Sequence, residues 1–241
     1  MAERETVRIR QAELADIDGV TDLLIISMPE DREWWDYRFP YRREYPDDHR
    51  QLFRALVAAW ISPEFEDWVV LVAECYDESS QRWEMASYAA WDISYLNFRK
   101  FGDGYKPARS LGDVLAEAGA ATRRDTTPAR AAAYAHACDE AHEKYLIPQH
   151  GTAQIHLQAL GTHPSFTRRG LAKALCRWGM DCADRDGVVA TLVASPMGRS
   201  VYPRFGFEEL GVVQAMDEGG VHGPALCAMR QMIDKSFSSN S

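Results

Sequence analysis

The chain has 241 residues, of which 46% are hydrophobic and 26% charged, with a formal net charge of −9. That length buries a sizeable core, as one domain with insertions or as two small ones. The acidic balance excludes a broad nucleic-acid surface, which needs clustered Lys and Arg, and no apolar run is long enough to span a membrane.

The first residues are charged and lack the apolar stretch of a signal peptide. Cys75, Cys138, Cys176, Cys182 and Cys227 are odd in number and lack zinc-site spacing. The expectation is a cytoplasmic protein with reduced thiols. Val7-Arg8-Ile9-Arg10 alternates as a first strand, and Leu14, Ile17, Val20 and Leu24 then recur at helical spacing. Residues 28–50 interleave aromatics with charges around three prolines. They read equally as a substrate-facing loop with an aromatic wall or as a connector pinned to the core. Asp47 or Asp48 caps a helix carrying Leu52, Leu56, Val57 and Trp60, which stops before Pro63.

Two strands follow, Trp68 to Cys75 and Gln81 to Ile93, joined by a polar turn. Residues 97–128 lose periodicity and read as a mobile loop; Gly102-Asp103-Gly104-Tyr105-Lys106-Pro107 lacks the third glycine of a dinucleotide motif. Thr127-Pro128 starts an alanine-rich helix that runs to about Tyr145. His142-Glu143 opens a zincin-like string, but Leu146 stands where its second histidine belongs, so a solvated helix face is expected and no metal.

Ala153 to Leu160 alternates, with Ile155, Leu157 and Ala159 on one face and Gln154, His156 and Gln158 on the other. The chain then reads Leu160-Gly161-Thr162-His163-Pro164-Ser165-Phe166-Thr167-Arg168-Arg169-Gly170-Leu171-Ala172. A strand entering, a helix leaving, and two arginines followed by a glycine at the join suit an anion at the helix start, above all a pyrophosphate. Leu171, Leu175, Trp178 and Cys182 form the apolar stripe of that helix, and Gly187 ends it. Val188 to Ala194 is another buried strand. Ser195-Pro196 starts a short helix reaching Tyr202 and Phe205. A hairpin with strands near 207–214 and 224–232 closes the pattern before a serine-rich tail at 236–241, expected to be flexible.

The cradle, the helix after it, and the segment from Ser195 through Tyr202 to Gly206-Phe207 together resemble the GCN5-related N-acetyltransferase superfamily. Members typically read Leu-Ala-Val-x-Pro-x-aromatic-(Arg/Gln)-x-(Arg/Lys)-Gly-x-(Gly/Ala) at the first site and Asn-x-x-Ala-x-x-apolar-Tyr-x-x-x-Gly-Phe at the second. Thr167 stands where Arg or Gln is usual, and Ser195 where Asn is usual. The resemblance implies an α/β fold over residues 1–235. Its central sheet is mixed and mostly antiparallel, flanked by helices on both faces (the acyl-CoA N-acyltransferase fold), with helical or loop insertions near 28–63 and 97–150.

The resemblance further implies an acetyl-CoA-dependent N-acetyltransferase acting on a primary amine. Backbone from Arg168 to Ala172 would hold the pyrophosphate, and Leu160, Gly161 and Thr162 would pair with the pantetheine arm, with Thr167 and Ser195 at further cofactor positions. Tyr202 falls where members place a tyrosine that protonates the departing thiolate. Members often carry an acidic base on the strand before the cradle; this strand has none. His156 takes that polar face, with Asp92 and Asp36 as outlying carboxylates and His163 at the cradle's edge. Trp34, Tyr37 and Asp92 are the expected substrate contacts. A small-molecule amine is the expected partner of a monomer or homodimer, with no nucleic acid and no membrane. A protein N-terminal or lysine acetyltransferase and a non-catalytic CoA-binding module are the alternatives.

Overall fold

The computed structural model describes residues 6–232, so the tail expected from residue 236 lies outside the described residues. The alternating opening forms β1 (Val7–Gln11), and the helically spaced residues after it form α1 (Ile17–Ser27), which buries Val20, Leu23 and Leu24. The aromatic stretch is not an open loop: it folds into α2 (Arg32–Arg38), followed by α3 (Pro46–Ile61). Asp31 caps α2. Pro46 starts α3, where a missing N–H costs nothing, so Asp47 and Asp48 lie in the first turn rather than at the cap.

β2 (Trp68–Asp77) and β3 (Arg82–Asp92) form the expected hairpin. The segment expected as a mobile loop carries α4 (Tyr95–Phe101) and α5 (Leu111–Glu117), each of only 7 residues, too short for periodicity to show. A reciprocal cap announces α5: Ser110 Oγ accepts from Asp113 N at 3.1 Å, and Asp113 Oδ2 accepts from Ser110 N at 3.0 Å. α6 (Pro128–Ala141) starts on Thr127 as expected, widens into one π turn at His142–Leu146 and closes as α7 (Ile147–His150). Then come β4 (Gln154–Thr162), α8 (Leu171–Asp186), β5 (Val189–Ala194), α9 (Pro196–Val201), β6 (Phe207–Met216) and β7 (His222–Gln231).

The 7-stranded sheet has the order β1-β2-β3-β4-β5-β7-β6. Every neighbouring pair is antiparallel except β4 with β5. On one face, Val20, Trp35, Phe53 and Val57 of α1 to α3 pack on Tyr88 and Ala90, and α6 extends that layer over β6 and β7 through Ala137, Ala141, Val213 and Leu226. On the other face, Leu171, Leu175 and Met180 of α8 pack on Trp91, Ile155, Leu157 and Leu192. Gly179 sets the distance there, because a Cβ on it would lie 2.3 Å from Trp91 Cζ2. Among the described residues no helix is long and apolar enough to cross a membrane.

The face assignment expected for β4 holds only halfway. Ile155 and Leu157 face α8, but Ala159 packs with the cluster on the opposite face. The cause is a β-bulge: β3 pairs Trp91 with Leu157 and Ala90 with Ala159, leaving Gln158 without a counterpart. One extra residue reverses the alternation beyond it.

Candidate active site

The bulge sits where β4 and β5 separate. Their pairing runs from Gln154 with Val189 to Leu157 with Leu192 and stops. β4 continues to Thr162 and β5 to Ala194, so past Leu157 the two diverge, while β4 stays paired to β3 as far as Ser87 opposite Thr162. That edge of residues 158–162 has no strand partner among the described residues and presents backbone N–H and C=O groups to whatever enters. Ser87 braces the far end, donating to the Gly161 carbonyl at 2.7 Å and lying 2.8 Å from Thr162 Oγ1. Gly161 is required by contact, since a Cβ would lie 2.5 Å from Tyr88 Cε1.

The cradle lies at the open end of this parting. Arg168 has φ +63° and Gly170 φ +84°, and Gly170 begins α8 without any side-chain cap. Left-handed residues ahead of a helix turn successive N–H groups toward one point, and an uncapped first turn leaves its own N–H groups unsatisfied. A Cβ on Gly170 would meet nothing within 4 Å, so the approach to these groups is open. Thr167 Oγ1 donates to the Pro164 carbonyl at 3.1 Å. Arg169 donates to the Ser165 carbonyl at 3.0 Å and lies 4.6 Å over the Phe166 ring, bracing the loop. His163 Nδ1 accepts from Ser165 N at 3.2 Å, a structural role at the same turn. Leu171 is buried in the core and Ala172 half-buried beside it.

Ser195 caps α9, its Oγ accepting from Gly198 N at 3.2 Å. Tyr202 follows in a 3-10 turn, its ring set edge-on to Phe207 with centroids 5.8 Å apart. It keeps some accessible surface, yet surrounding protein desolvates its phenol and pushes the pKa well above the ordinary value, with a further contribution from Cys176. The hydroxyl therefore holds its proton at neutral pH and is available as a donor or acid.

His156 lies on β4 just before the parting and is 8% exposed. Its Nδ1 is 3.0 Å from Thr191 Oγ1, and Thr191 gives its own hydrogen to Gln154 Oε1 at 2.7 Å. Only the Thr191 lone pair is left for the imidazole, so Nδ1 carries the proton and Nε2 the lone pair. His142, on the π turn, donates Nδ1–H to the Cys138 carbonyl at 2.8 Å, and its ring centroid is 4.6 Å from that of His156. Burial, and then His142, hold the His156 pKa well below the ordinary value. At neutral pH His156 is therefore an uncharged imidazole whose Nε2 carries the lone pair.

Beyond the bulge, Gln158 and Ala159 floor a cavity of about 360 Å³. Trp34, Trp35, Phe39, Trp60 and Tyr134 line it, along with Arg38 and Cys138. Asp31 ties this wall to the Tyr202 side: one oxygen accepts from Trp34 N at 3.4 Å, the other from Met197 N at 2.8 Å. One buried carboxylate thus serves the first turns of both α2 and α9.

No family model matches the chain. A protein named acetyltransferase from Stachybotrys chartarum is 24% identical over 215 residues, covering 89% of this chain and 86% of that protein. Among solved structures, histone acetyltransferase HPA2 and related acetyltransferase from Corynebacterium glutamicum has a TM-score of 0.55 at 17% identity, covering 95% of this chain and 99% of that one. Drosophila melanogaster polyamine N-acetyltransferase has a TM-score of 0.57 at 12% identity, covering 95% of this chain and 100% of its own. The chain has the fold of the GCN5-related N-acetyltransferase superfamily.

Within that fold the residues expected to bind the cofactor fall into three places. Leu160, Gly161 and Thr162 lie on the unpartnered stretch of β4, Thr167 to Ala172 form the cradle and first turn of α8, and Ser195 and Tyr202 follow β5. His156 and Trp34 stand on the cavity side. Asp92 is the cross-strand partner of His156 and accepts from Ser94 N at 2.7 Å. Burial raises its pKa, and it opens to a separate cavity of about 640 Å³ beside Phe98 and Tyr105. Tyr37 points away from the aromatic cavity, against Gly223 of β7, where a Cβ would lie 2.6 Å from its Cζ, and 5.2 Å from the Arg130 guanidinium. Asp36 is exposed and paired with Arg42. Among the described residues no group of three or more His, Cys, Asp or Glu is placed to hold a metal ion. Sequence reasoning does not single out Arg38, Asp31 or Tyr134, and it notes His142 only as the start of a metal-like string on a solvated helix face, whereas its ring packs against His156. Only the Asp31 cap left a signal in the sequence, as a short acidic residue before an aromatic helix.

Proposed function

We infer that the chain moves an acetyl group from acetyl-CoA to the primary amine of a small molecule, by direct transfer. The observation that carries this reading is the parting of β4 and β5 after Leu157, with the cradle at its mouth, Tyr202 on one side and His156 on the other. The fit to a CoA thioester rests on three features of the chain: the uncapped first turn of α8, the left-handed backbone at Arg168 and Gly170, and the unpaired edge of β4. The first two suit a pyrophosphate. The third suits an amide-bearing arm added in the manner of a strand.

Bound acetyl-CoA supplies the activated acyl group. The chain's residues then do three things. Backbone N–H groups beside the Gln158 bulge offer hydrogen bonds to a carbonyl oxygen as negative charge grows on it. His156 Nε2 receives the proton that the amine sheds, with His142 as the next acceptor. Tyr202 gives its proton toward the departing sulfur. The Stachybotrys relative's name supports acetyl transfer, and the polyamine named for the Drosophila structure supports an amine acceptor. The aromatic cavity, about 360 Å³ in volume, supports a small acceptor over a protein terminus or lysine side chain.

Thiol release from acetyl-CoA over a panel of amines, with mass spectrometry of the products, tests this. Amine-dependent thiol release with one acetyl group gained per amine is expected. Acetyl-CoA binding, seen as a thermal shift, with no release on any amine leaves a CoA-binding module instead.

A further inference from the structure

The aromatic cavity holds a charge that acyl transfer does not use. Arg38 ends α2, and its guanidinium carbon lies 3.8 Å from the Tyr134 ring centroid, 4.7 Å from Phe39 and 5.2 Å from Trp34. It makes no hydrogen bond or ion pair among the described residues, whereas Arg10, Arg42, Arg123, Arg124 and Arg199 each sit on a carboxylate. Asp125, whose charge reaches Arg38, is already taken by Arg123 Nε at 2.6 Å and by His49 Nδ1 at 2.6 Å. Asp139, the acidic residue in the cavity wall, is exposed and forms no pair with Arg38.

Arg38 keeps some accessible surface in the cavity wall while protein surrounds its charge, and that desolvation lowers its pKa from the ordinary value. Three rings return part of the cost of a desolvated cation. Residues of the same wall carry polar atoms behind it. Trp35 Nε1, Trp60 Nε1 and Tyr88 Oη are buried and have no hydrogen-bond partner among the described residues. The cavity wall thus carries an unpaired guanidinium beside an apolar space.

We propose that the acceptor carries a carboxylate in addition to the amine that is acylated, and that Arg38 binds this carboxylate. The assignment rests on the acyl-transfer reading for the amine end only. A carboxylate is an acceptor at both oxygens and matches the planar guanidinium fork. The rings around it suit an apolar body, so an α-amino acid with an apolar side chain combines the three requirements. A second cationic end, as in a polyamine, would be repelled by Arg38. This chain's acceptor therefore differs in charge from the one named for the Drosophila structure.

The test compares phenylalanine, tryptophan and leucine with phenethylamine, tryptamine and isopentylamine, and adds spermidine. Acetyl transfer is measured on wild type, Arg38→Met and Arg38→Lys, with kcat/KM expressed per neutral amine. Wild type is expected to favour the carboxylate of each pair by at least about tenfold, the scale of a charge-assisted hydrogen bond. Arg38→Met brings the ratio near one, and Arg38→Lys, which keeps the charge but not the fork, falls between. Equal losses on both members of a pair, or wild-type preference for the decarboxylated amine or spermidine, overturn the proposal.

Binding of the same amino acids to the CoA complex, by calorimetry, needs no turnover and separates the two readings. Arg38-dependent binding without transfer keeps the Arg38 site and removes acyl transfer. Transfer without carboxylate preference removes the Arg38 site alone. Neither binding nor transfer removes both. Circular dichroism checks each variant's fold, and the wild-type preference stands as a test even where Arg38→Met does not fold.

Discussion

His156 Nδ1 and Thr191 Oγ1 meet at 3.0 Å across the parallel pair of strands, one residue before that pair comes apart. The contact fixes which imidazole nitrogen is basic. His156→Gln removes the lone pair and is expected to lower kcat by about 100-fold, at the lower end of the range for general base catalysis. The KM for acetyl-CoA should stay close to wild type. Thr191→Val removes only the orienting oxygen and should cost about tenfold, near 1.4 kcal/mol. Steady-state kinetics with both substrates varied separates the two; an unchanged kcat in His156→Gln removes the base from the scheme.

The pH profile carries the same information with a definite sign. Burial holds the His156 pKa well below its ordinary value, so the base is neutral and ready above that lowered pKa and is lost only as pH falls through it. The enzyme's acidic limb in kcat/KM is expected below the ordinary imidazole value of about 6.5. It should not move when the amine is exchanged for one of different pKa. A limb that follows the amine alone belongs to the substrate.

Tyr202 is pushed the other way and stays protonated throughout. Tyr202→Phe keeps the ring against Phe207 and removes the proton donor. Turnover should fall by about 100-fold, a typical loss for a catalytic acid, while the dissociation constant for acetyl-CoA changes by less than about threefold. Calorimetry paired with thiol release reads both quantities, and equal turnover in the two forms removes the role.

At the cradle, Gly170→Asp places a carboxylate where the first-turn N–H groups are open. Acetyl-CoA affinity should fall by more than about tenfold, the expected scale for setting a negative charge against a bound anion. The left-handed φ of +84° also strains any side chain there, which should cost about 1 kcal/mol in stability. Affinity within threefold of wild type would place the pyrophosphate elsewhere.

Gly179→Ala tests the packing that sets α8 on the sheet. The added Cβ would lie 2.3 Å from Trp91 Cζ2, within a rigid ring. Overpacking of this kind costs about 2 kcal/mol, which lowers the unfolding temperature by about 6 °C in a chain of this size. A melting temperature within a degree of wild type would mean that α8 shifts freely.

Much of this was legible in the sequence where the signal is local. The stripe Leu171, Leu175 and Cys182 gave α8, Thr127-Pro128 gave the start of α6, and the glycine and arginines at 168–170 gave the cradle. What was missed depends on partners far along the chain. The Gln158 bulge exists only in the register of β4 against β3, so no alternation within residues 153–160 could show Ala159 reversing its face. Arg38 stands among several similar arginines, and only packing against Tyr134, nearly a hundred positions away, singles it out. The π turn at His142 adds no residue type that a plain helix would lack, yet it brings that ring to His156.

The most direct test of the account is a crystal structure of the chain with CoA. The pyrophosphate is expected on the backbone of residues 168–172, the pantetheine arm along residues 158–162 of β4, and the sulfur beside the Tyr202 hydroxyl. CoA lodged in the larger cavity by Asp92, or a sulfur on the far side of the sheet from Tyr202, would contradict it.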